Sequence, residues 1–125
     1  MNYRIPDKTF AVGPSGSIPT ITFRSNQAST HFHVQVKTGD GWQMVLDETG
    51  LGRPVPIQGG SIRSAADFPG KRFFWDITLV ALDDSKPVEA VLEVTIDQDG
   101  MQLLRVDDDH FFTGQETYYE YLDAR

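Results

Sequence analysis

The sequence predicts an all-β protein, an antiparallel β-sandwich of about seven to nine short strands, with a small or jelly-roll-like barrel as the alternative. Eleven Gly and seven Pro among 125 residues cut the chain into runs of strand length rather than helix length. Within those runs apolar residues tend to recur at every second position, and turn signals return about every ten residues. The length suits one domain over residues 1–125 with a single core.

The elements follow in order. "VGPSGSIP" is a loop and "PTITFR" a strand. "THFHVQVK", the turn "TGDG" and "WQMVLD" make a hairpin. From "ETGLGRPVPIQGG" to "SAADFPG" Gly and Pro dominate, so residues 48–70 form a long connection with at most one edge strand near Val55–Ile57. "RFFWDITLVAL" is apolar at both parities and reads as a central strand covered on both faces.

"PVEAVLEVTIDQ" sets helix against strand. Alternation turns Val88, Ala90, Leu92, Val94 and Ile96 inward. A helix beginning at Asp84 or Ser85 would end its apolar stripe on Thr95 and leave Val94 and Ile96 outside it, so the strand is preferred. Asp99–Gly100 then turns the chain into "MQLLRVD", and "HFF" and "ETYYEYLD" close the domain.

A net charge of −7 with scattered Lys and Arg argues against nucleic acid. The charge is lopsided, +1 over residues 1–62 and −8 over residues 63–125. Without cysteine, disulfides, thiol catalysis and thiolate metal sites are excluded. No apolar run is long enough to span a membrane, and "MNYRIPDKTF" lacks the apolar core of a secretory leader. The expected location is the cytoplasm, or outside the cell by a route without a cleaved leader. "GPSGS" fails the nucleophile elbow at Ser17, "GLGRPV" fails the dinucleotide fingerprint, and no P-loop is present. No catalytic residue is assigned and no enzyme is expected.

Three groups of residues carry the functional expectations. His31 and His33 share one strand face about 7 Å apart and, with His110, supply imidazoles for a zinc site. Gln35, Val36 or Lys37 stands where a metal-binding strand of this pattern would carry glutamate. The plain alternative is a half-exposed strand with both histidines in water, for which His31→Ala and His33→Ala each change stability by under ~0.5 kcal/mol.

If residues 72–82, 87–98 and 101–107 are consecutive antiparallel strands, Asp83 and Asp84 share a rim with Asp107, Asp108 and Asp109. Such a rim suits calcium. The aromatics Trp42, Tyr118, Tyr119 and Tyr121 are candidates for ring-stacking on a ligand. Glu116 and Glu120 share the parity of Tyr118, which points the Tyr118 face outward and the Tyr119/Tyr121 face inward. Met44 and Leu46 share the parity of Trp42, which also fits a core position. The last strand is a candidate open edge for self-association.

The expected function is a non-enzymatic binding or interaction module for a carbohydrate or a protein, with no cofactor required. A calcium- or zinc-dependent module is second and a small metal-dependent enzyme third.

Overall fold

Ten strands stack as two sheets in this computed structural model, which describes residues 2–125. The larger sheet contains β1 (Asn2–Arg4), β2 (Lys8–Phe10), β4 (Ala28–Thr38), β5 (Gly41–Glu48), β7 (Arg72–Val80) and β10 (Gln115–Ala124). Its order is β1-β10-β7-β4-β5, with β2 also pairing to β10. The smaller sheet contains β3 (Thr20–Ser25), β6 (Val55–Pro56), β8 (Val88–Gln98) and β9 (Met101–Phe112), in the order β6-β3-β8-β9.

The pleat sends alternate side chains into the space between the sheets. Trp75, Ile77 and Leu79 of β7 face Ala90, Leu92 and Val94 of β8, all fully buried. Phe23 joins the layers, its ring centroid 4.4 Å from Phe32 and 5.4 Å from Trp75. The inward set expected of β8 is therefore correct, with Val88 only partly buried at its end. The turn after β8 is correct too. Asp99 and Gly100 adopt φ of 50° and 79°, the left-handed pair a tight two-residue hairpin requires. The edge strand expected near Val55–Ile57 is β6, which pairs with β3.

Several expectations are overturned. Residues 2–10, to which the sequence pattern assigned no strand, hold β1 and β2, which lie parallel to β10 around Pro6. Pro has no N–H for a ladder, so the pairing breaks there into two short pieces. β10 is consequently an interior strand between β1/β2 and β7, not an open edge. β7 and β8 are not neighbours: residues 81–87 carry the chain from one sheet to the other. β7 is buried on one face only, its outer face being half-exposed. β9 continues through Phe112, so Asp107–His110 is strand rather than loop.

The long connection from Thr49 to Lys71 adds β6 to the smaller sheet and then packs back on the larger one. Gly59 lies so close to the Val45 carbonyl that a Cβ there would collide with backbone. Gly59→Ala is expected to cost about 1–3 kcal/mol by overpacking, measured as a lower urea midpoint with an unchanged m-value.

Candidate functional site

Two rows of side chains cross the outer face of the larger sheet side by side. The register places Met44, Gln35, Phe74 and Tyr121 in one row over β5, β4, β7 and β10. The next row holds Asp47, His33, Asp76 and Tyr119, and ends on Arg4 of β1. Trp42, paired with Lys37 two residues from Met44 on β5, lies beyond the first row, and its ring reaches back over it towards Phe74 and Tyr121. One row is mainly apolar and the other hydrogen-bonding.

The rings cluster tightly. The Trp42 centroid lies 6.0 Å from Phe74 and 5.8 Å from Tyr121, and Phe74 lies 5.1 Å from Tyr121 and 5.8 Å from Tyr119. Cations hold the rim. Arg4 and Arg72 sit 4.9 and 5.0 Å from the Tyr121 centroid, and Lys37 sits 5.5 Å from that of Trp42. Asp7 pins both guanidiniums, at 3.0 Å to Arg4 and 2.7 Å to Arg72, and Arg4 above all holds the Asp7 carboxyl below its usual range. The rings are thus fixed in place while still 38% (Trp42) or partly exposed. Phe74, Tyr119 and Tyr121 line a shallow cleft of about 580 Å³ along the two rows, and Trp42 stands beside it.

His31 and His33 do lie on this outer face, His31 exposed and His33 half-buried, with ring centroids 4.5 Å apart. His33 is more than a solvated imidazole. Its Nδ1–H donates to Asp76 Oδ1 at 2.9 Å, and its Nε2 lies 3.3 Å from Asp47 Oδ1. One side chain on β4 therefore bonds to β7 and stands beside the Asp47 carboxylate of β5. His31→Ala should leave stability within ~0.5 kcal/mol, whereas His33→Ala should cost about 1 kcal/mol, read as the difference between the two variants in urea denaturation.

Of the four aromatics expected to meet a ligand, Trp42, Tyr119 and Tyr121 gather here. Tyr118 does not. It is fully buried with Glu116 and Glu120, so the faces of this strand are the reverse of those expected. Distant partners make the burial tolerable. Glu120 accepts from Trp75 Nε1 at 2.9 Å and from Lys8 Nζ at 3.2 Å, while burial still pushes its carboxyl above the ordinary range. Glu116 Oε1 lies 3.4 Å from His110 Nε2. Trp42 is outside because a bulge between Val34 and Gln35 shifts the pairing, so that Val45 and Leu46 are both buried while Met44 is not.

The candidate metal ligands are dispersed. His110 faces the interior of the smaller sheet, donating from Nδ1 to Asp108 Oδ2 at 2.7 Å, with the Tyr3 ring 4.2 Å from its own. It cannot join His31 and His33 on the opposite side of the larger sheet. Asp108 pairs with Leu92 four residues into β8, about 13 Å along the strand from its end. Asp107 is held by Arg105 at 2.9 Å, and Asp109 lies opposite Val91. Asp83 accepts from Ser85 N and Oγ at 3.0 and 2.6 Å, and Asp84 is exposed beside it. The acidic rim is therefore not assembled. Among the described residues no group of three or more His, Asp or Glu side chains is disposed to hold a metal ion.

Phe74, Gln35 and Asp76 were missed as site residues. Asp76 shares parity with Phe74 in "RFFWDITL", and an aspartate on that face was the signal that the face is open. Compared with known proteins, the chain matches no family model, and no curated protein or solved structure matches it significantly. Among the described residues no helix is long and apolar enough to cross a membrane.

Proposed function

We propose that the protein is a non-catalytic carbohydrate-binding module whose ligand lies on the outer face of the six-stranded sheet. The observation that carries this reading is the pairing of half-exposed, clamped rings with a parallel row of hydrogen-bonding groups. A sugar has the matching duality. Its C–H faces are apolar enough to cover Trp42 and Phe74, and its edge hydroxyls can donate to Asp76 and Asp47 or bond to the Gln35 amide. The other sheet offers a contrast: its outer face carries the ion pairs of Arg24 and Arg105 with Glu93.

A protein partner is the weaker reading. Cores of protein interfaces are depleted of charged residues, and here two carboxylates would be desolvated beneath a flat partner surface. Sugar hydroxyls instead replace water partner for partner.

A glycan array probed with the labelled protein, followed by affinity electrophoresis in gels containing soluble polysaccharides, tests the reading. Binding to at least one glycan, abolished by Phe74→Ala in a folded variant, is the expected result. No retention by any glycan would refute it.

A further inference from the structure

We propose that the face binds a run of about three sugars within a single, neutral, linear glycan chain, rather than a terminal sugar or a crystalline polysaccharide surface; this rests on the carbohydrate reading above. Length comes from the register. The row from Met44 through Gln35 and Phe74 to Tyr121 crosses four neighbouring strands, three gaps of about 4.8 Å, or roughly 14 Å in all. The cleft runs the same way, lined from Met44 on β5 through Gln35 and Phe74 to Tyr119 and Tyr121 on β10, a length that suits about three linked sugars.

The form of the chain comes from the ring planes. Trp42 and Phe74 are inclined at 58°, Trp42 and Tyr121 at 49°, and Phe74 and Tyr121 at 54°. A flat crystalline face needs coplanar rings to lie on, and these cannot touch one plane together. A free chain can turn from one unit to the next and follow them, as the twisted sheet itself turns from strand to strand. The cleft is shallow, its rings partly exposed, so nothing encloses one sugar on all sides.

Charge selects neutrality. Arg4 and Arg72 are already matched by Asp7, and Arg72 also by Asp123 at 3.6 Å. Asp47 and Asp76 add negative charge to the polar row of a chain carrying −7. A uronic acid polymer would meet repulsion along this row.

The test is isothermal titration with gluco-, xylo- and manno-configured oligosaccharides of one to about six units, alongside polygalacturonate and a pull-down on microcrystalline cellulose. In a bound series, affinity should rise by about tenfold or more from the disaccharide to the tetrasaccharide and by less than about twofold beyond it. Polygalacturonate and the crystalline polymer should retain nothing. A monosaccharide binding as tightly as its trimer, retention on the crystalline polymer, or binding of polygalacturonate would each overturn the proposal while leaving carbohydrate binding intact. Silence from every glycan would instead remove the reading beneath it.

Discussion

Glu120→Ala is expected to lower the free energy of unfolding by about 2–3 kcal/mol, the cost of leaving a buried donor without its acceptor. The carboxylate is fully buried and answers two donors, the Trp75 indole N–H and the Lys8 ammonium. Alanine would leave the indole N–H without an acceptor inside the sandwich and strip Lys8 of its counter-charge. Glu120→Gln separates these contributions, because its amide oxygen still accepts from Trp75 while the charge is gone. Its cost should be smaller, and the difference should depend on pH. Burial raises the folded carboxyl above its unfolded value, so the protonated form is favoured by folding. The stability this contributes is complete below the unfolded value and lost as pH rises through the folded one. Wild type should therefore gain on Glu120→Gln as pH falls from neutral towards the carboxylate range. Urea denaturation of both proteins across that range reads the difference directly, and a pH-independent gap would contradict the assignment.

Trp42→Ala is expected to weaken glycan binding by about 2 kcal/mol, roughly thirtyfold in Kd, while changing stability by less than ~1 kcal/mol. The indole stands at the edge strand, 38% exposed, touching Phe74 and Tyr121 on one side and Lys37 above. Losing it removes one side of the ring cluster without opening the core. Tyr118→Phe is the matched comparison. Its ring faces the interior, where burial first and then the Asp108 and Glu116 carboxylates push the hydroxyl far above the usual phenol range. That variant should bind as wild type does. Equal affinity for Trp42→Ala and wild type, with circular dichroism intact, would move the site off this face.

What was legible in the sequence was local, and what was hidden was supplied by distant strands. Ala90, Leu92, Val94 and Ile96 alternate cleanly with polar neighbours, so their facing followed from the pleat alone. The Asp99–Gly100 turn followed from a pair of residues that readily accepts two left-handed conformations. The tyrosine strand was inverted because glutamate ordinarily stays in water. What overrides that here comes from Trp75 and Lys8, 45 and 112 residues away in sequence. The Val34/Gln35 bulge likewise left no mark on "WQMVLD", yet it decides that Trp42 and Met44 face out while Leu46 faces in. β7 was ambiguous for a further reason: with Phe74 on one side and Phe73 and Trp75 on the other, hydrophobicity did not distinguish a core from a binding surface. Of the site, His33, Trp42, Tyr119 and Tyr121 were named from sequence. Only the register brought them onto one face beside Asp76 and Gln35.

The junction of β1 and β2 with β10 sets an order on folding. Arg125 donates its backbone N–H to the Phe10 carbonyl, and Val12 donates back to that of Arg125. Residues 2–12 thus wait for residues 115–125, on whose ladder they pair. A nascent chain stopped before Gln115 would hold residues 2–12 unpaired, with Lys8 far from any Glu120, however much of the smaller sheet had formed. Closure of the larger sheet depends in this sense on its most distant pairing, slow in the manner of non-local β contacts.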